Sequence, residues 1–359
     1  MNNEFAARRR LLAAGLENRE LDAMLVAAPA NVRYLTGFTG SNGVVLLLPG
    51  EAVFFTDPRY AIQSRREIGC GTQVCRGPIL PTVAGMAAAR GVRRLGFEPT
   101  RLSYEGFDLL RANMPLNASL EPVSGWLEAH RMLKSATEIE LIRRSVRTNS
   151  KAFELAARRV RPGLRERDLA AEIDHQMRRL GAEKPSFETI VAAGGRAALP
   201  HAHPTGAVLK AGQMVLIDMG AFQDGYASDM TRMLFLGPPG ARVRRLYRAV
   251  LEAQLAAIDA VRPGVTTARV DRAARDVLKA YKLDCAFVHS TGHGLGLEIH
   301  ELPRIGKKDK TPLAAGMAIT IEPGVYLEGV GGIRIEDTVL VTATGCEVLT
   351  PTGKELRVV

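Results

Sequence analysis

Residues 215–236, VLIDMGAFQDGYASDMTRMLFL, constrain this chain more than any other segment, because they place two aspartates in what reads as a β-hairpin. The first arm is apolar on either side of Asp218. The second arm, from Tyr226, carries Asp229, and Gln223, Asp224 and Gly225 supply turn chemistry between them. A fold-back about the midpoint of 218 and 229, between Gln223 and Asp224, makes the two aspartates direct cross-strand neighbours. Their Cβ atoms would then lie roughly 5 Å apart, where like charges destabilise a sheet. At an effective dielectric of about 20 that repulsion is on the order of 3 kcal/mol, large beside a folding stability of roughly 5–15 kcal/mol. Asp218 also sits among residues that want a core, where an unpaired carboxylate is costly. A cation between the two resolves both difficulties, whereas two solvated strand ends would leave the apolar setting of Asp218 unexplained.

At 359 residues, with 46% hydrophobic and 24% charged residues, the chain has the size for two domains and the balance of a globular protein. No stretch approaches the roughly 18 apolar residues of a membrane span, and the first residues, MNNEFAARRRLLAAGL, carry no signal-peptide apolar core. Four cysteines (Cys70, Cys75, Cys285, Cys346) without a CxxC pair read as reduced thiols, so the expected location is cytoplasmic and no membrane partner is expected. The formal charge of +10 invites a nucleic-acid reading. However, arginine pairs such as Arg143-Arg144, Arg158-Arg159 and Arg178-Arg179 lie on helix-like segments without interleaved aromatics. They read as solvated helix faces, and no specific nucleic-acid partner is expected.

Residues 1–130 read as a separate α/β unit. A helix over 4–16 precedes strands at 23–28, 44–48, 52–56 and 95–97, with helices near 61–67, 83–89 and 104–113, an alternation that favours a mainly parallel or mixed sheet. The glycines and small polar residues of 31–43, NVRYLTGFTGSNG, predict a loop. A boundary near 126–134 precedes Ser135-Ala-Thr-Glu138, a capping-box start, and helical spacing of Ile139, Ile142, Val146, Phe153 and Ala157. The second domain, 131–359, carries a weak internal duplication. Val160-Arg-Pro-Gly163 recurs as Val261-Arg-Pro-Gly264, each followed by a helix (166–180 and 267–280) and then by a hairpin holding two acidic residues. In the second hairpin these are Glu322 and Glu336, with their midpoint at Gly329.

A further ligand is expected from HSTGHGLGLEIHE, residues 289–301, which contains His289, His293 and His300 among glycines that permit close approach. Two aspartates, two glutamates and a histidine form a hard, oxygen-rich donor set. Four carboxylates exceed the charge that one divalent ion balances, so two metal ions are expected, Mn²⁺ favoured over Co²⁺, Zn²⁺ or Fe²⁺. Such a pair activates a water and stabilises charge on the attacked group.

These residues carry a resemblance. The segments LPHAHPT (199–205), VLIDMGAFQDGYASDMTR (215–232), HSTGHGLGLEIHELP (289–303), ITIEPGVY (319–326) and GGIRIEDTVLVT (331–342) resemble the metallopeptidase family with the pita-bread fold, which includes methionine aminopeptidase, Xaa-Pro aminopeptidase, prolidase and creatinase. NVRYLTGFTGSNG and FTDPRY (55–60) resemble the creatinase/prolidase-type N-terminal domain. The resemblance implies an α/β (α+β) chain: a creatinase/prolidase-type domain over 1–130, then a pita-bread catalytic domain over 131–359 with a pseudo-twofold internal duplication. It implies that Asp218, Asp229, His293, Glu322 and Glu336 hold a dinuclear centre, with Asp229 and Glu336 bridging and Glu322 also acting as general base. It further implies catalytic roles for His201 near the scissile bond and for His300 at the substrate carbonyl. His289 would line a proline pocket, and Tyr326 and Arg334 would support the acidic cluster. His203 has no place in the pattern and reads as a polar loop residue.

A full ligand set disfavours the metal-free creatinase-like members, and the N-terminal domain disfavours methionine aminopeptidase. The expected function is therefore cleavage of the bond before proline. The reading preferred on the sequence is an Xaa-Pro aminopeptidase, on the strength of GFTGSNG, and the alternative is a prolidase restricted to Xaa-Pro dipeptides. The resemblance also implies a homodimer, in which a loop at 31–43 could close the partner's cavity. A more distant alternative is a non-catalytic pita-bread binding protein.

Overall fold

The computed structural model describes residues 2–359, which divide into two compact units, the first running to Ala129 and the second over His130–Val359. The first is built on a six-stranded sheet in the order Gly71–Val74, Glu51–Thr56, Gly43–Leu48, Ala23–Val26, Arg94–Phe97 and Ser119–Pro122. Its central pairings are antiparallel and the others parallel, so the sheet is mixed. Leu25, Leu46, Phe55, Val83 and Leu95 are wholly buried in its core.

Residues 31–43 are not one loop. Pro29–Thr36 is a helix, and only the residues from Gly37 onward connect it to the strand Gly43–Leu48. Proline at the first helical position and Gly37 at φ 79° just past the end are the start and stop signals that the glycine content concealed. The helix holds its place by burying Val32, Tyr34 and Leu35.

The second unit shows the duplication in its backbone. Gly163 and Gly264 both adopt positive φ, and their N–H groups donate to Leu209 and Leu313. Glu166 and Thr267 then open the helices Glu166–Arg179 and Thr267–Ala280, donating to Ala207 and Thr311. The two halves are thus 101 residues apart at the helix starts and 104 apart at their strand-side partners. The difference is three extra residues in the second half between helix and hairpin. Each of these helices packs on a longer one, Ala136–Ala157 and Ala241–Asp259 respectively.

Two sheets carry the hairpins. One runs in the order Arg357–Val358, Met230–Phe235, Met214–Met219, Ile190–Ala193. The other runs Glu301–Ile305, Gly292–Gly294, Ala318–Ile321, Asp337–Val341, Cys346–Val348. The helix Ala136–Ala157 reaches the first hairpin directly, since Asn149 Nδ2 donates to the Met219 carbonyl at 2.9 Å and Ser145 Oγ to that of Ala221 at 2.8 Å.

The dispersed arginines have local roles. Arg143 and Arg144 pair with Glu347 and Asp224, and Arg178 and Arg179 occupy the last turn of their helix, where cations complement the macrodipole. Among the described residues no helix is long and apolar enough to cross a membrane.

The Ser135 capping box forms in full, with Ser135 Oγ accepting from the Glu138 N–H and the Glu138 carboxylate accepting from the Ser135 N–H. Ser135→Ala is expected to lower stability by about 1 kcal/mol, seen as a lower thermal midpoint.

Candidate metal centre

Both strands of the first hairpin are buried along their length, and they pair in a register that sets Thr231 opposite Asp218 and Met230 opposite Met219. The same register continues through Phe222↔Ala227 and Gln223↔Tyr226, leaving Asp224 and Gly225 as a two-residue turn, both at positive φ. This is the turn geometry that Asp-Gly favours. The expected direct pairing of Asp218 with Asp229 is therefore corrected. The fold-back lies between Asp224 and Gly225, so Asp229 faces Gly220 and is the diagonal neighbour of Asp218. At the roughly 7–8 Å of a diagonal pair the repulsion is about 2 kcal/mol. A side chain at Gly220 would collide with the Ser228 carbonyl, 2.2 Å from the site of a Cβ.

The second hairpin follows the register read from the sequence. Ile321 pairs with Asp337 and Gly324 with Arg334, so the intervening Glu322 and Glu336 fall opposite each other. His293 arrives from the short strand Gly292–Gly294. A Cβ on Gly292 would lie 1.9 Å from the Thr320 carbonyl and one on Gly294 2.1 Å from that of Leu302, so only glycine lets this strand press close enough to present the histidine.

Asp229, His293 and Glu336 offer ligand atoms that all lie within 4.8 Å of one another. Glu322 joins them, its Oε1 lying 3.4 Å from His293 Nε2, and Asp229 Oδ2 lies 3.6 Å from the same nitrogen. The Gly294 carbonyl 3.0 Å from His293 Nδ1 can only accept, so Nδ1 carries the proton and the Nε2 lone pair points at the two carboxylates. Burial depresses the basicity of His293, which keeps the ring neutral. A lone pair aimed at carboxylates is repulsive unless a cation lies between them.

The carboxylates make the same demand. Asp218 Oδ1, Asp229 Oδ1 and Glu336 Oε1 are buried without a hydrogen-bond partner. Burial, followed by repulsion from neighbouring carboxylates, raises Asp229 and Glu336 well above the usual range. Burial also pushes Glu322 up to about 7. Arg334, fully inside the cluster, offers one compensating charge: Nη2 donates to Asp218 Oδ2 at 2.5 Å. The donor set therefore fits divalent cations of the oxygen-preferring kind.

The remaining expected site residues line this cluster. Arg334 Nη1 donates to the Tyr326 hydroxyl at 2.6 Å, and that hydroxyl lies 2.8 Å from His289 Nε2. His289 Nδ1 is committed to the Ser290 carbonyl, so Nε2 accepts from Tyr326. Burial pushes His289 down to about 4, and Tyr326 up to about 12. His300 is exposed, with its ring 4.4 Å from that of His293. His201 is exposed as well, within electrostatic reach of His289, His300 and Glu322. His203 pairs with Glu188 on the surface, away from this chemistry.

Three threonines escaped the sequence reading. Thr320 Oγ1 lies 3.2 Å from Glu322 Oε1 and accepts from the His293 N–H, Thr231 Oγ1 lies 2.8 Å from Glu336 Oε2, and Thr338 Oγ1 donates to the Asp229 carbonyl. The available signal was positional: each sits two residues from a candidate ligand on the same strand face.

Comparison with known proteins places this arrangement. The model of metallopeptidase family M24 matches residues 140–343, more than half of the chain, and that of the Creatinase/Prolidase N-terminal domain matches residues 8–133. The chain belongs to metallopeptidase family M24. Its two M24 halves, each with a helix pair and a carboxylate hairpin, bear out the pita-bread fold with internal duplication. The chain is 36% identical to an Xaa-Pro dipeptidase of Pyrococcus furiosus over 95% of its own length and 97% of that protein's. Among solved M24 structures it superposes on an Xaa-Pro dipeptidase from Bacillus anthracis with a TM-score of 0.96 at 36% identity, each chain covered fully. It also superposes on an X-Pro aminopeptidase from Thermotoga maritima with a TM-score of 0.90 at 32% identity, covering 98% of this chain and 100% of that one.

The raised affinity of Glu322 for its proton has a consequence for stability. A carboxyl that titrates near 4.5 when unfolded and near 7 when folded favours the folded state at low pH, and that contribution is lost as pH rises between the two values. In protein stripped of metal, Glu322→Gln removes this loss. The thermal midpoint of the variant is expected to rise relative to the parent from about pH 4.5 to about pH 7 and the gap to level off above that, as followed by calorimetry across pH.

Proposed function

We propose that this M24 peptidase is an Xaa-Pro dipeptidase that hydrolyses the bond between a first residue and a C-terminal proline. The observation that carries the hydrolytic part is the convergence of three unpartnered buried carboxylate oxygens with the lone pair of His293. The choice of dipeptidase rests on the Xaa-Pro dipeptidases of Pyrococcus furiosus and Bacillus anthracis, to which this chain is similar over nearly its full length. The sequence had favoured an aminopeptidase through the segment at 31–43. That preference rested on GFTGSNG, residues 37–43, a short segment that carries less weight than similarity to dipeptidases over nearly the whole chain. The similarity to the Thermotoga maritima aminopeptidase keeps the aminopeptidase as a second reading.

In this proposal Asp218, Asp229, His293, Glu322 and Glu336 would hold two divalent ions, Mn²⁺ by preference, with Asp229 and Glu336 serving both. The chemistry such ions supply when bound is a water made nucleophilic at neutral pH and a polarised carbonyl. Glu322 would take up the proton released as the water attacks, its Oε1 lying 3.4 Å from His293 Nε2 within the cluster. His300 and His201, exposed beside the cluster, donate to the substrate carbonyl and stabilise its developing charge. His289, held neutral and oriented by Tyr326, lines the proline side. Arg334 braces Asp218 against the other carboxylates. The chain acts as a homodimer in the cytoplasm, a location in keeping with its four free cysteines.

The deciding experiment compares Xaa-Pro with Xaa-Pro-Yaa peptides on Mn²⁺-reloaded protein. The expected result is turnover of the dipeptide with the tripeptide cleaved at least about 100-fold less efficiently, a discrimination of about 2.7 kcal/mol. Comparable cleavage of both assigns the aminopeptidase instead, and cleavage of neither removes the peptidase reading.

A further inference from the structure

Thr231 stands two residues past Asp229, opposite Asp218 in the first hairpin, and is fully buried. Its surroundings leave its hydroxyl one role. Arg334 Nε, 3.0 Å away, can only donate, so Thr231 Oγ1 accepts from it. A hydroxyl carries a single hydrogen, and that hydrogen points to Glu336 Oε2 at 2.8 Å. Arg334 cannot turn aside to release the contact, because its other nitrogens are committed to Asp218, Tyr326 and the Pro200 carbonyl.

The backbone of Glu336 is tied to the same strand. Its N–H donates to the Thr231 carbonyl at 3.2 Å, and its carbonyl accepts from Arg232 Nη1. Of the polar atoms of Glu336, Oε1 is the buried one left without a partner. The duplicated half differs here: Thr338, two residues past Glu336, donates to the main-chain carbonyl of Asp229 at 3.0 Å and leaves the Asp229 carboxylate untouched.

We propose that Thr231 is a positioning residue for the metal centre: by giving its one proton to Glu336 Oε2 it fixes the orientation of that carboxylate and couples it to the Arg334–Asp218 ion pair. This rests on the ligand assignment made above. A hydroxyl that must accept from arginine has no freedom to reverse direction, so the carboxylate it faces is oriented before any ion arrives. Outer-shell partners of this kind typically contribute 10–100-fold to metal affinity.

Thr231→Val preserves the branched shape and removes the hydroxyl, whereas Thr231→Ser preserves the hydroxyl. Chelator-stripped proteins are titrated with Mn²⁺ by calorimetry, with ion content measured after dialysis and folding checked by circular dichroism. The expected result is Mn²⁺ binding weakened about 10–100-fold in the valine variant and retained in the serine variant. Thr231→Ala, which also lacks the hydroxyl, replaces the valine variant should that fail to fold. Wild-type affinity in the hydroxyl-free variant overturns the proposal, as does an equal loss in the serine variant, which would assign the effect to packing. Asp229→Asn, titrated alongside, separates the two levels: if it too binds Mn²⁺ as the parent does, the ligand assignment falls and the role of Thr231 falls with it.

Discussion

Four carboxylates in this molecule converge around a single guanidinium. Asp218, Asp229, Glu322 and Glu336 repel one another, burial makes the charges of Asp229, Glu322 and Glu336 harder to hold, and Arg334 compensates only Asp218 directly. A core built to be stable alone would place apolar side chains here, since an unpaired buried charge costs several kcal/mol. The second unit does the reverse. It surrounds the cluster with buried strands and fixes each acidic residue by backbone and hydroxyl contacts, so that the carboxylates cannot relax toward solvent. The deficit in positive charge is thus a built-in property of the fold, and divalent ions satisfy it in a metallopeptidase.

The duplication explains how a chain assembles such a cluster from residues far apart in sequence. Each half contributes a helix pair, a positive-φ glycine that docks the second helix, and a hairpin with a carboxylate of the cluster on each arm. Contacts between the halves run through the acidic residues themselves, since Thr231 reaches the Glu336 carboxylate and Thr338 the Asp229 main-chain carbonyl. His293 has no counterpart of this kind. It enters on a separate strand that requires glycine on both sides, which breaks the symmetry of the site and places its one imidazole on one side.

Much of this was legible in the sequence, for physical reasons that differ by element. The helix starting at Ser135 announced itself through its capping box, and the helices after the Arg-Pro-Gly repeats through their spacing. The second hairpin was placed in correct register because glycine-rich 327–332 has only one sensible centre. The first hairpin was displaced because Gln223, Asp224 and Gly225 are all acceptable turn residues, and only the positive φ of Asp224 and Gly225 selects between centres. The helix Pro29–Thr36 was missed because its flanking glycines spoke louder than its buried face, a tertiary property. The threonines around the cluster were invisible for the same reason: threonine is common in strands, and only the three-dimensional neighbourhood distinguishes an orienting hydroxyl from an ordinary one.

The two-residue turn at Asp224 and Gly225 has a further meaning for how this chain tolerates change. Because side chains alternate across a strand, a single inserted or deleted residue on either arm would rotate everything beyond it to the opposite face. Asp229 and Thr231 would then look away from Asp218, although every amino acid involved was still present. The tip of the hairpin therefore acts as a ruler: the length of the arms between Asp218 and Asp229, more than the identity of most residues in them, decides whether the acid groups meet.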